Sequence, residues 1–154
     1  MREVRRSALV RYSPQQMYAL VNDVARYPEF VPWCPATRIL AESADSITAT
    51  VEIARAGVRL GLTTRNTMRP GECIDMRLVD GPLRSFEGTW RFLPIEAPAV
   101  PGAAPVMHGC RIELEVHFEF GSAALGVLFG PLFEASWDSL VDAFVERARA
   151  VHGG

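Results

Sequence analysis

At 154 residues, with 49% hydrophobic and 22% charged side chains, the sequence fits one globular domain large enough to bury a real core. Its formal charge of −2 argues against DNA and against any strongly electrostatic nucleic-acid binding, which needs many Lys and Arg to neutralise phosphates. All 16 basic residues are arginine, so Schiff-base chemistry and a phosphate-gripping P-loop lysine are both excluded.

The first residues, Met1-Arg2-Glu3-Val4-Arg5-Arg6, lack the apolar core of a secretory signal, and no apolar run approaches the roughly 20 residues of a membrane helix. A cytoplasmic protein is expected, with no transmembrane segment and no more than transient contact with membranes. Glu3 to Tyr12 reads as a strand, although Arg5, Arg6 and Arg11 interrupt its alternation. Ser13-Pro14 then offers an N-cap with proline at the first helical position. Met17, Leu20, Val21 and Val24 recur at helical spacing, so a helix is expected over about Pro14 to Asp23. Pro28, Pro32 and Pro35 prevent its continuation, because proline fixes its own φ and pushes the preceding residue out of the α region. The helix therefore gives way to a bent apolar flap carrying Tyr27, Phe30, Val31 and Trp33. Those side chains need cover. Either the protein's own sheet supplies it, making the flap core, or a ligand does, making the flap a gate.

Strand patterns then come in succession: Thr37 to Glu42, Ser46 to Ala54, Val58 to Met68, Cys73 to Val79, Ser85 to Leu93 and Cys110 to Phe120. The links Ala44-Asp45, Ala56-Gly57, Pro70-Gly71 and Gly81-Pro82 are short turns, which implies an antiparallel meander. In the last strand Ile112, Leu114, Val116, Phe118 and Phe120 alternate with Arg111, Glu113, Glu115, His117 and Glu119. One face is therefore buried and the other wet. Ile47, Ala49, Val51 and Ile53 form another one-sided set, as do Ile74, Met76 and Leu78. Pro94 to Met107, with Pro94, Pro98, Pro101 and Pro105, reads as an exposed, mobile loop that cannot pair in a sheet.

After Ser122 the period changes to 3.6. Leu125, Phe129, Leu132, Phe133, Trp137, Leu140, Val141, Phe144 and Val151 make a wide apolar stripe, opposite a solvated face of Glu134, Asp138, Asp142 and Glu146. A helix from about Ser122 to Val151 would be roughly 45 Å long and long enough to cross the whole sheet, with Gly130-Pro131 as the expected kink. The expected class is α+β: a helix-grip layout, in which a curved antiparallel sheet of about six to seven strands wraps one long C-terminal helix, with a short helix and flap after the first strand. Residues 1–154 form a single domain in this reading.

A sheet closing on one helix encloses apolar space where a small hydrophobic molecule would sit. Candidate lining residues, besides the flap, are Leu62, Met76, Leu78, Phe86, Trp90, Phe129, Phe133, Trp137 and Leu140, with Phe92 and Phe118 nearby. The same patterns also describe ordinary core. Trp90 and Trp137 stand out because an indole offers a large apolar face and still needs a partner for its N–H. Arg55, Arg59, Arg65 and Arg69 lie along the third and fourth strands, and the last three share parity. They form either a strip for phosphate contacts or a plain solvated face, and Arg2, Arg5, Arg6 and Arg11 would enlarge the strip if the first strand lay nearby.

Catalytic chemistry is not visible. Cys34, Cys73 and Cys110 lack metal-ligand spacing and read as reduced thiols, so neither a metal nor a required cofactor is expected. His108 in a predicted loop, His117 on the wet face and His152 near the end do not form a catalytic set in the sequence. Asp80 is the one carboxylate to test as a base, although it stands where turn-forming aspartates do.

The order Val21-Asn22-Asp23-Val24, Tyr27-Pro28, Phe30-Val31-Pro32-Trp33-Cys34, Thr63-Thr64-Arg65-Asn66, Leu78-Val79-Asp80-Gly81-Pro82-Leu83, Gly88-Thr89-Trp90-Arg91-Phe92 and Val141-Asp142-Ala143-Phe144 with Arg147-Ala148 spans nearly the whole chain. It resembles the ribosome association toxin branch of the START-like superfamily, the polyketide cyclase/dehydrase superfamily. That branch is related to mitochondrial coenzyme Q-binding proteins and is also labelled oligoketide cyclase. Two departures are an aliphatic Leu83 where the family has an aromatic, and a longer Pro94 to Met107 connection. The resemblance implies a helix-grip fold with an elongated hydrophobic cavity. For the coenzyme Q branch it implies a bound ubiquinone or related isoprenoid lipid, and for the toxin branch association with the large ribosomal subunit and a block on subunit joining. The expected function is non-enzymatic binding of such a hydrophobic ligand, with the ribosome-directed toxin as first alternative and a polyketide cyclase as second.

Overall fold

The computed structural model describes the chain from Arg2 to Gly153 apart from Ala99. Its elements are β1 (Arg2–Val10), α1 (Pro14–Asn22), a 3₁₀ helix (Val24–Glu29), β2 (Thr37–Glu42), β3 (Ser46–Arg55), β4 (Val58–Arg69), β5 (Cys73–Asp80), β6 (Leu83–Pro98), β7 (Pro105–Phe120) and α2 (Ala123–His152). The strands form one seven-stranded antiparallel sheet in the order β1-β7-β6-β5-β4-β3-β2. Turn chemistry sets this order. At the β3–β4 hairpin Ala56 (φ 52°) and Gly57 (φ 79°) both take positive φ, the twist that a two-residue antiparallel link requires.

The start of α1 is the capping box that Ser13 promised. The Ser13 hydroxyl accepts from the Gln16 N–H (3.1 Å), and the Gln16 side chain accepts from the Ser13 N–H (2.8 Å). The helix gives way at Asp23 to the tighter 3₁₀ turn that contains Pro28. The long helix α2 runs from Ala123 through Pro131 to His152 as one element. The missing Pro131 N–H leaves the Val127 carbonyl without its helical donor, and Val127 is exposed, so water can supply one.

One expectation is overturned. Over most of Pro94 to Met107 there is no loop: β6 and β7 continue as a hairpin, pairing Pro94 with Cys110, Ile95 with Gly109, Glu96 with Met107 and Pro98 with Pro105, and of the described residues 100–104 alone form the connecting turn. The prolines are tolerated because of where their missing donors would point. Phe92 N–H donates to the Glu72 carbonyl (2.8 Å), away from β7, and by the two-residue period Pro94 and Pro98 face the same way. Beyond Arg91 there is no β5 residue to pair with on that side, so no ladder bond is lost. His108 is the extra residue of a bulge in β7. Beside it Gly109 has φ 152° and lies so close to the Val10 carbonyl that a Cβ would collide with it.

The concave face of the sheet is covered by α2. Phe133, Val141 and Phe144 are fully buried, with the Phe133 ring 4.7 Å from Phe118 and the Phe144 ring 5.4 Å from Trp90. The opposite face of α2 is solvated as its pattern suggested, with Glu134, Asp138, Asp142 and Glu146 all exposed, and it also carries ion pairs. Arg6, whose position broke the alternation of β1, reaches across to Asp138 (3.1 Å) and Asp142 (3.3 Å), and Arg2 reaches Glu134 (3.6 Å). Three acids of the outer helix face thus anchor β1. We predict that Phe144→Ala, which empties the meeting point of Tyr27, Phe30 and Trp90, lowers unfolding free energy by about 3–5 kcal/mol in denaturant titration.

Candidate functional site

Between the sheet and α2 lies an enclosed cavity of about 40 Å³, reached from β3 by Ala49, Val51 and Ile53, from β4 by Leu62, Thr64 and Asn66, and from β5 and β6 by Met76 and Trp90. Trp137 and Leu140 of α2 and Val24, Tyr27 and Trp33 of the flap region close it. The space is on the scale of one water molecule. Seven of the residues singled out from the sequence therefore converge: Tyr27, Trp33, Leu62, Met76, Trp90, Trp137 and Leu140. The others do not. Val31, Phe86 and Phe133 are plain core, Leu78 and Phe129 are half-buried against it, and Phe30 faces a groove outside.

Thr64 and Asn66 were missed. They fall on the inward parity of β4 after Leu60 and Leu62, and the Thr64 hydroxyl donates to the Asn66 side-chain oxygen (2.8 Å). A polar pair breaking an apolar inward run was the signal available. The alternation of Ala49, Val51 and Ile53 marks them as one-sided without placing them at the cavity. Trp137, which lines the cavity, carries a buried indole nitrogen that has no hydrogen-bond partner among the described residues.

The flap is closed. Tyr27, Val31 and Trp33 are each less than a tenth exposed, and the Tyr27 hydroxyl donates to the Val21 carbonyl, where burial pushes its pKa well above the usual range. The Trp33 indole donates to the Ser139 hydroxyl of α2 (3.2 Å), and its carbonyl accepts from Ala54 N–H (2.8 Å). Outside it, a groove of about 770 Å³ runs between flap and α2. Phe30, Pro32, Trp33, Ala143 and Ala150 line it together with charged side chains of both signs, Arg55 and Arg147 beside Glu29, Asp142 and Glu146. The Arg147 guanidinium lies over the Phe30 ring, 4.9 Å from its centre, and pairs with Glu29 (3.0 Å).

The arginines divide. Arg59, Arg65 and Arg69 share the outward face of β4 and are exposed, whereas Arg55, at the end of β3, belongs to the groove. Arg65 stands directly opposite Arg77 of β5, and Cys73 sits in register between Arg69 and Arg91. Glu87 faces Arg77 from β6. Among the described residues none of Arg59, Arg65, Arg69, Arg77 and Arg91 is in an ion pair. The first strand does not enlarge this patch, because β7, β6 and β5 stand between β1 and β4. Arg2 and Arg6 are occupied by acids of α2, and Arg5 by Glu3 (2.7 Å).

The residues considered for catalysis are dispersed. His117 is wedged between Glu115 (2.7 Å) and Glu3 (3.4 Å) on the outer face, and its hydrogen bond holds the Glu115 carboxyl below its usual range. His152 packs on Tyr12, His108 stands at the bulge, and the Asp80 carboxylate accepts from Gly81 N–H (2.9 Å) in the turn. Cys34 and Cys110 are buried. Desolvation disfavours their thiolates and pushes each pKa from about 9 up to about 11.

A family model described as polyketide cyclase/dehydrase and lipid transport matches residues 10–145. The chain is 41% identical over 153 residues to the ribosome association toxin RatA of Vibrio cholerae, covering 99% of both chains. It is 25% identical over 146 residues to the mitochondrial coenzyme Q-binding protein COQ10 of Drosophila melanogaster, covering 94% of this chain and 57% of that one. Among solved structures, TTHA0849 of Thermus thermophilus superposes with a TM-score of 0.79 at 19% identity, covering 97% of this chain and 98% of that one, a likeness of fold. Among the described residues no helix is long and apolar enough to cross a membrane.

The thiols give a signed expectation. Between pH 9 and 11 the folded protein keeps protons on Cys34 and Cys110 that the unfolded chain releases, so stability falls as pH rises through that window. Urea unfolding across that range should show a decline that is shallower in the C34A/C110A double variant.

Proposed function

The chain belongs to the polyketide cyclase/dehydrase and lipid transport family, and on that premise we propose that it is a ribosome-associating factor of the toxin type, binding the large subunit and opposing subunit joining. The physical observation that supports this reading is the facing pair Arg65 and Arg77, with Arg59, Arg69 and Arg91 around it and no ion pair among the described residues for any of them. Like charges directly opposite on a sheet destabilise it by roughly 0.2–1 kcal/mol, and guanidinium forks match phosphate geometry. Ribosomal RNA phosphates would relieve the repulsion and use both forks. A net charge of −2 does not oppose this, since a local patch suffices. In sucrose gradients, overexpression should raise free subunits over assembled ribosomes, and R65Q/R77Q should lose most of that effect while keeping its melting temperature. The salt dependence of its subunit binding should also fall by about two phosphate contacts. An unchanged gradient profile with the native protein would reject the reading.

A second reading, an apolar guest held inside, is favoured by the uncharged cavity lining and by the buried Trp137 N–H, which has no partner among the described residues. A cavity of about 40 Å³ cannot take an isoprenoid quinone as it stands, so this reading requires the flap to move. Organic extraction of purified protein should then yield a stoichiometric lipid, and Leu140→Gln should abolish its recovery.

A further inference from the structure

The face of the sheet turned away from α2 is convex, and hydroxyl groups are interleaved with its arginines. Along β4 the outward residues Arg65, Thr67 and Arg69 follow one another and are all exposed. Thr48 of β3 stands directly opposite Arg65, and Arg77 of β5 stands opposite it on the other side, so one row across three strands reads hydroxyl, guanidinium, guanidinium. Arg77 donates one N–H to the Met76 carbonyl (3.1 Å), which spends one of the fork's five donors. Two acids share the face: Asp75 accepts from the Thr89 hydroxyl (3.0 Å), and Glu87, opposite Arg77, borders the patch on β6. The aromatic residues of β3 to β6 all lie on the other side, where Phe86, Trp90 and Phe92 are each no more than 3% exposed.

We infer that this convex face takes double-helical RNA, held by its phosphates and 2′-hydroxyls and not by its bases. The inference rests on the ribosome-directed reading above and deepens it by naming the class of RNA. Single strands are recognised by stacking their bases on aromatic rings, and the outer face of β3 to β6 has no ring to stack them on. A duplex keeps its bases stacked within itself and displays phosphates and 2′-hydroxyls across a wide, shallow minor groove, which a convex sheet can enter. From Arg65 to Arg69 is four residues, about 13 Å along β4, and from Arg69 to Arg91 is two strand spacings, about 10 Å across the sheet. The cations are thus spread in two directions, as phosphates on both banks of a groove are, and not along one line. Between them the Thr48 and Thr67 hydroxyls can both donate and accept, which matches the 2′-hydroxyl, itself donor and acceptor and absent from DNA.

The test follows fluorescence anisotropy of three labelled probes with the full chain: a mixed-sequence RNA duplex of about 20 base pairs, a DNA duplex of the same sequence, and oligouridine of the same length. The RNA duplex should bind about tenfold or more tightly than either of the others, and a duplex of scrambled sequence should bind equally well. R65Q/R77Q should weaken RNA-duplex binding by about tenfold to a hundredfold and lower the slope of log affinity against log salt by about 1.8. T48V/T67V, which keeps side-chain shape and removes both hydroxyls, should bring the RNA duplex to within about threefold of the DNA duplex while leaving DNA binding, salt slope and melting temperature unchanged. Oligouridine bound as tightly as the RNA duplex, RNA and DNA duplexes bound alike by the native protein, or affinities that ignore either double variant overturn the inference. If no probe binds while the native protein still raises free subunits in sucrose gradients, the duplex surface falls and the ribosome-directed reading stands. The expected pattern of binding with an unchanged gradient profile sinks that reading and leaves the duplex surface in place.

Discussion

A single helix has to cover the concave face of seven strands, and most of the molecule derives from that constraint. The inward residues of β3 to β7 present one continuous apolar surface, and α2 is the one long element able to cap it. Because α2 is 30 residues long, it crosses the whole sheet, and its two ends meet different neighbours. Near Phe133 it packs ring against ring on Phe118, Phe120 and Phe86, while near Phe144 it meets Tyr27 and Phe30 from the flap. The interior is thus dense aromatic packing toward the helix start and along its second half, and the enclosed space lies between, beside Trp137 and Leu140. Burying each ring contributes about 1.5–3 kcal/mol, so a gap tolerated at this point is a concession made against a strong driving force.

The two faces of the sheet carry separate chemistry. The inner face is apolar apart from Thr64 and Asn66 in β4 and from Arg2 and Arg6 at the β1 edge, which reach the acids of α2, and the outer face is ionic. On that outer face the β1–β7 side neutralises itself, with Arg5, Glu3, His117 and Glu115 in mutual contact and Arg111 on Glu113 (2.9 Å). The β4–β5 side leaves guanidinium opposite guanidinium. The arginine patch and the interior are therefore back to back across one sheet thickness, so the outward arginines can be contacted without disturbing the packing beneath them.

Much of this was legible in the sequence because alternation reports burial directly. The one-sided pattern of Ile112 to Phe120 located β7, and the 3.6 period after Ser122 located α2 to within a residue or two. The missed features share a cause: they depend on which neighbour stands at a given edge. Proline reads as a strand breaker, yet along β6 it falls on the side where β5 has ended, and a donor with nothing to bond is not missed. Arg6 reads as an interruption of β1 until Asp138 and Asp142 are brought opposite it. Likewise, aromatic spacing identified a flap but not its state. Whether Trp33 borders solvent, ligand or protein is decided by Ser139, more than a hundred residues away.

The β6–β7 hairpin beyond Arg91 has a consequence for how this scaffold can change. Among the described residues it is an arm whose strands bond to each other and, past Val10 and Arg91, to no other strand of the sheet. Lengthening or trimming it would leave the registers of the other strand pairs untouched, and doubling a connecting loop adds only about 0.6 kcal/mol of closure entropy. The tip is accordingly the part of the chain where evolution or a protein engineer can insert sequence most cheaply, for instance a reporter or a tethering peptide, without altering the grip of the helix on the sheet.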